Sequence, residues 1–371
     1  MSRNVVAAMA LASSLLVASA PAEDLGGNVQ VHGFGSWAFG DTNFNRYLAG
    51  EPDREYRHTT LGLSVDANPT ERLRVVGQAF WSDTDAGTEA EFDYAFAEWK
   101  VSDSFRLRAG QVKLPFGIYS EVARVGTLRP FLDLPQAVYG PVGITGENYR
   151  GLGITGRHSL GRKWAVEYDV YGGGMILKEF APPEQFLLGE EIHPEEATEF
   201  EETTDLIGGR LVFETPVEGL RFGSSAYTGH ETGSSRRTVY GFHAEYLAGP
   251  LSLRSEYAHE TVKNDLEVDG VYAEAAYRIG SHWQLAGQYG NLTTAVHEAP
   301  DPTVPSLLDH EEVVVGLNYW FNPSFVLKVD YHRVEGNRFA APDVEDFVEV
   351  VESGGLKSKT NLWQFGAQFS F

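Results

Sequence analysis

Arg106 and Arg108 stand two residues apart in Phe105-Arg106-Leu107-Arg108-Ala109, where apolar and basic residues alternate. In a strand, that spacing puts both guanidiniums on one face and the apolar side chains on the other. The same parity sets Arg74, Arg210, Arg221, Arg254, Arg278 and Lys328 opposite apolar neighbours, and Glu167, Asp169, Glu256, Glu274 and Asp330 likewise. Fixed charges of both signs in this pattern do not make or break bonds. They suit a hydrated passage in which charge sorts what moves, and they would be punishing in a dry core. A cation facing lipid is costly, so these groups are expected on the inside of whatever the strands enclose.

Bond-making chemistry finds little support. The chain has no cysteine, which excludes disulfide frameworks, thiolate metal sites and cysteine nucleophiles. Gly151-Leu152-Gly153-Ile154-Thr155-Gly156 satisfies the dinucleotide string, but another alternating strand follows it where a phosphate site needs a helix. The 11 histidines include no helical metal pair, and no nucleophile–base pairing is visible in one dimension. No catalytic residue, metal or cofactor is therefore expected. A formal net charge of −23 also excludes a surface built to hold nucleic acid.

The elements that must position the charges are strands. Arg3, the apolar run Val5 to Val17 and Ala20-Pro21-Ala22 form a secretory signal peptide over residues 1–22, too short to span a bilayer as a helix. Residues 23–371 then read as one barrel domain. Leu61, Leu63, Val65 and Ala67 alternate with Gly62, Ser64 and Asp66, and the pattern recurs in about sixteen segments of roughly ten residues, each long enough to cross a bilayer when tilted. Every second connection is tight, as at Asn68-Pro69, Gly249-Pro250, Gly280-Ser281 and Asn322-Pro323. The intervening ones are mostly long: 39–57, 113–150, 173–204, 293–310 and 335–358. A soluble sandwich explains the alternation but not this segregation of loops; an outer-membrane barrel explains both. Tyr246, Tyr257, Tyr277, Trp283, Tyr289, Tyr319, Trp320, Phe321 and Phe325 sit where an interfacial girdle would lie. The expected fold is all-β, a transmembrane antiparallel barrel.

Two stretches carry a family resemblance. Gln364-Phe365-Gly366-Ala367-Gln368-Phe369-Ser370-Phe371 resembles the terminal strand of bacterial outer-membrane proteins, and Arg108 to Gly117 resembles the G-Q-x-K-x-P-F-G segment of Gram-negative porins. The chain is most similar to the phosphate-selective porin O and P group and related porins. The resemblance implies a trimeric, water-filled barrel of sixteen strands in the cell outer membrane. It implies that Phe371 and Phe369 belong to the signal read by the barrel-assembly machinery. It also implies that the third external loop, 113–150, folds inward and narrows the pore. Phosphate selectivity does not carry over, since no dense ladder of lumen arginines matches. The constriction candidates are then Arg106, Arg108, Lys113, Arg124 and Arg129, opposed by Glu121 and Asp133, an arrangement favouring anions weakly.

A porin passing small hydrophilic solutes or ions by passive diffusion is the expected function, with outer-membrane lipid and lipopolysaccharide as surroundings. A lipid-acting barrel enzyme is the first alternative, but it needs Ser and His on the lipid-facing surface near one rim, and the outward positions supply no such pair. A plugged barrel serving as adhesin or receptor is the second. Glu184 to Asp205 holds nine acidic residues and no Lys or Arg, and Asp343 to Glu352 holds five more. Such runs read as solvated loops, with divalent-cation bridging to lipid headgroups as the alternative.

Overall fold

The computed structural model describes residues 23–24, 28–51, 58–84, 87–140, 144–161, 163–180, 198–230, 235–263, 266–296, 305–342, 350, 353 and 355–371. The export signal at 1–22 and most of both acidic runs lie outside the described residues. Sixteen long strands follow: β1 (Val29–Thr42), β2 (His58–Ala67), β3 (Leu73–Thr84), β4 (Gly87–Ser102), β5 (Phe105–Lys113), β6 (Asn148–Leu160), β7 (Trp164–Phe180) and β8 (Thr198–Glu214). The second half comprises β9 (Leu220–His230), β10 (Arg236–Ala248), β11 (Leu251–Val262), β12 (Leu266–Ile279), β13 (Trp283–Val296), β14 (His310–Asn322), β15 (Phe325–Glu335) and β16 (Lys359–Ser370). Each pairs antiparallel with its chain neighbours, and β16 closes on β1 with Phe365 opposite Phe39. Closure leaves no open edge, the condition lipid imposes on a spanning sheet. No helix among the described residues is long and apolar enough to cross a membrane.

Burial is inverted relative to a water-soluble fold. Leu61, Leu63 and Val65 are 47%, 50% and 40% exposed, while Ser64 between them is buried. On β16, Trp363 and Phe365 face out, and Gln364 and Gln368 face in. The outward apolar set meets lipid, and the polar set lines the interior. Asp66 lies on the inner face and pairs with Arg74 at 2.5 Å.

The structure amends several boundaries and one side chain: β1 runs to Thr42 and β13 to Val296, which shortens the connections expected at 39–57 and 293–310. β4 is longer than its alternation suggests, and β7 and β8 extend to Phe180 and Thr198, which shortens the connection expected at 173–204. Trp320 is not part of the girdle. Its neighbours Tyr319 and Phe321 take the outward positions, so strand parity turns Trp320 inward, where the Arg278 guanidinium lies 4.7 Å from its ring.

The seam explains the chain end. Phe371 and Gly33 exchange two backbone hydrogen bonds, of 3.0 and 2.8 Å. The Phe371 ring covers Gly33 so closely that a Cβ there would lie inside the ring's van der Waals envelope. Glycine at this position lets the terminal aromatic seal the barrel.

Candidate functional site

The connection from β5 to β6 begins Leu114-Pro115-Phe116-Gly117, and its apolar residues have a partner surface. Leu114, Phe116, Tyr119, Ala137, Val138 and Ile144 are buried against inward side chains that include Phe96, Tyr149, Tyr171, Val239, Ala258 and Tyr272. A fully buried side chain such as Phe116 contributes about 1.5–3 kcal/mol. Gly117 adopts φ +56°, and a Cβ there would collide with the Glu256 carboxylate and the Tyr139 hydroxyl. The Pro-Phe-Gly sequence thus brings backbone onto an acid of β11. Ile118 N–H donates to Glu256 Oε1 at 3.1 Å, and Tyr139 Oη donates to it at 2.7 Å. Tyr119 Oη donates to Glu274 of β12 at 2.8 Å. Burial drives the Tyr119 and Tyr139 phenols well above their ordinary values, so both act as neutral donors.

The middle of the connection meets a further stretch of the inner wall, β14 to β16. Lys328 of β15, fully buried, donates from Nζ to the carbonyls of Gly126, Arg129 and Phe131 at 2.9, 2.7 and 2.9 Å. Asp330 accepts the Leu132 N–H at 2.7 Å, Gln368 of β16 donates to Leu132 O at 3.1 Å, and Asn318 of β14 donates to Pro130 O at 2.7 Å. These side chains fix a segment of backbone whose own secondary structure is the single 3-10 turn Gly126–Leu128. Arg129 belongs to this framework. It is tied to the carbonyls of Ala123 and Leu132, and burial lowers its pKa.

Elsewhere the inner wall carries a belt of alternating charge. Arg106 approaches Glu98 at 3.7 Å, Glu98 binds Arg108 at 2.8 Å, and Arg108 lies 3.9 Å from Asp169. Asp169 binds Arg210 at 2.9 Å, and Arg210 reaches Glu121 of the loop at 2.6 Å. A second run leads from Arg157 through Glu167, Arg221, Glu245 and Arg254 to Glu274. Near the loop's outer flank Lys113 binds Asp93 at 2.5 Å, and Arg124 binds Glu147 at 2.6 Å and Glu91 at 3.1 Å. Burial opposes the Arg124 charge, but Glu147, Asp93 and Glu91 outweigh it and raise its pKa. Glu91, Asp93 and Glu147 would offer a cation three carboxylates, yet each already pairs with Lys113 or Arg124.

At one mouth, Tyr47 donates to Glu312 at 2.6 Å and packs with Val334, Ala340 and Leu362.

The structure therefore brings Arg106, Arg108 and Glu121 into one network, and Lys113 and Arg124 into another. Asp133 lies near Arg129 and Tyr47. Among the described residues, the arginines of strand and loop pair with acids: Arg108 with Glu98, Arg210 with Glu121, and Arg124 with Glu147 and Glu91. Glu98, Asp93, Glu91 and Glu147 were missed. Glu98 was within reach of sequence reasoning, since the tight turn at Ser102-Asp103 sets it opposite Arg108. The donors Asn318 and Gln368 carried no signal, because their partners are loop carbonyls. The dinucleotide-like string at 151–156 lies wholly within β6.

Residues 215–371 match the family model described as phosphate-selective porin O and P. No curated protein sequence matches the chain. Among solved structures, the outer membrane channel DcaP of Acinetobacter baumannii is similar with TM-score 0.58 at 12% identity, covering 95% of this chain and 100% of its own. The anion-selective porin from Comamonas acidovorans follows with TM-score 0.56 at 10% identity, covering 92% and 99%. The trimer form of OmpT, an outer membrane protein of Vibrio cholerae, gives TM-score 0.56 at 11% identity, covering 93% and 100%. At these identities the structures share a fold with this chain.

Proposed function

We infer from the porin O and P match, which takes in the last eight strands, that this barrel is an outer-membrane porin conducting small hydrophilic solutes and ions by passive diffusion. The observation that carries the reading is the set of bonds from loop carbonyls to side chains of the inner wall, with Lys328 at their centre. They support a loop 114–147 folded across the lumen as a constriction. Water then passes on the loop's other flank, where Glu91 and Glu147 are 39% and 54% exposed and Arg124 lies between them. Diffusion through such a gap needs no cofactor and no chemical step.

Selectivity between anions and cations is small in this reading, because the belt nearly neutralises itself. A weak anion preference rests on Arg106, which is 35% exposed with a distant partner, and on Arg278, held over Trp320. Arg108 is too deeply paired to contribute. Export by residues 1–22, recognition of Phe369 and Phe371 by the assembly machinery, assembly as a homotrimer and contact with lipopolysaccharide belong to the same reading. The trimer form among the similar structures supports the oligomer. Purified protein added to a planar bilayer should give discrete ohmic conductance steps; a protein that folds and inserts without conducting would overturn the proposal in favour of a plugged barrel.

A further inference from the structure

Outside the lumen, three side chains of the outer wall form a hydrogen-bonded relay. His259 and Thr261 share the outward face of β11, two residues apart, and Asp269 of β12 is the register partner of His259. Asp269 Oδ1 lies 2.9 Å from His259 Nδ1, and His259 Nε2 lies 3.0 Å from Thr261 Oγ1. The order is hydroxyl, imidazole, carboxylate, with both imidazole nitrogens engaged. Such an arrangement fixes the tautomer: His259 Nδ1–H donates to the Asp269 carboxylate, and the free Nε2 lone pair accepts from the Thr261 hydroxyl. Tyr257 donates to the same Asp269 oxygen at 2.5 Å, and the Tyr240 ring lies 5.0 Å from the imidazole, so the base is held in place.

The position matters as much as the geometry. Thr261 is the penultimate residue of β11, at the strand end above the Tyr240 and Tyr257 aromatics, where the hydrocarbon gives way to headgroups. Below it, Phe242 and Val271 are exposed apolar surface fit for acyl chains. Lys263, one pleat beyond, adds an exposed ammonium fit for a lipid phosphate. Thr238, the register partner of Thr261 on β10, brings a second hydroxyl beside it.

We propose that Thr261, His259 and Asp269 form a lipid-facing acyl-ester hydrolase site, distinct from the channel, whose substrate is a carboxylic ester of a membrane lipid. His259 Nε2 takes the Thr261 proton as Oγ1 attacks the ester carbonyl. The carbon–oxygen bond to the alcohol breaks, and His259 returns the proton to that departing oxygen. Water then attacks the acyl-threonine ester, giving one proton to His259, which restores Thr261 Oγ1–H as the fatty acid leaves. Ester and water become acid and alcohol, and no cofactor enters. The threonine supplies the role for which a serine would have been sought.

The test uses full-length protein in detergent micelles with a phosphatidylcholine bearing a self-quenched fluorescent acyl chain. Wild type should release fluorescent fatty acid; Thr261→Ala and His259→Phe should each lower the rate about 100-fold or more, and Asp269→Asn by about 10-fold or more. Thr261→Ser should retain the activity. With His259 intact, mass spectrometry of an acid-quenched reaction should find an acyl adduct on the peptide containing Thr261. All four variants should match wild type in heat-modifiable mobility and in conductance, so failure of the site is separable from failure of the channel. Equal release by wild type and Thr261→Ala, or no release and no adduct in wild type, would reduce the cluster to a hydrogen-bonded rim.

Discussion

The loop 114–147 meets the wall in two different ways. Along β14 to β16 it is held by side chains aimed at backbone: Lys328 on three carbonyls, Asp330 on an N–H, Asn318 and Gln368 on two more carbonyls. Along β4 to β12 it rests on an ion-pair belt through Glu121 and Tyr119. Bonds to backbone fix where the loop lies whatever its side chains are. Ion pairs fix how charge is distributed around the space left over. Under the proposed porin reading, position and selectivity are thus assigned to different stretches of one barrel wall.

The largest effect should come from unbalancing the belt. Arg108→Ser leaves the buried Glu98 with only the more distant Arg106, while Asp169 keeps Arg210, and this costs about 3 kcal/mol. The folded fraction on unheated gels should fall, and adding Glu98→Gln should recover part of it; a double variant worse than the single would show that the pair is not coupled. The pin comes next. Lys328→Met removes a bond from three carbonyls, of which Gly126 O keeps the Arg129 N–H, a loss on the order of 2–3 kcal/mol, and should lower the unfolding midpoint while leaving ion selectivity unchanged. A shift in reversal potential for that variant would mean the two sides do not divide the work as described.

At the seam, Gly33→Val should displace the Phe371 ring and reduce assembled protein several-fold without changing conductance per channel. Normal assembly of that variant would separate the ring from barrel closure. The smallest effect concerns selectivity. Arg106→Ser with Arg278→Ser should shift the anion-to-cation permeability ratio by less than about twofold, read from reversal potentials across a salt gradient. Strong cation preference in wild type, or no change in the double variant, would remove these two residues from the account.

Much of this was legible because a strand has period two. The alternation of Leu61, Leu63 and Val65 with Ser64 fixed both the fold and the face of each charge, and Arg74, Arg210 and Arg254 all lie inside. Trp320 was misplaced by treating an aromatic near a strand end as girdle without applying the parity of Tyr319. Acid partners such as Glu98 and Asp93 were harder, because pairing depends on register and on a loop crossing to another strand. His259, Thr261 and Asp269 were out of reach for a related reason: the carboxylate comes from the neighbouring strand, and only register places it beside the imidazole. Lys328 shows the limit most clearly. Parity turned it inward, but nothing in one dimension marks three carbonyls roughly 200 residues away in sequence as its partners.

Single-channel conductance of wild type against Lys328→Met tests the central claim most directly. If the loop, pinned by Lys328, sets the width of the pore, wild type gives steady ohmic steps, and the variant gives larger, noisier ones at unchanged reversal potential. Identical step size in the two proteins, or no conductance from either, would contradict a pore narrowed by the loop 114–147.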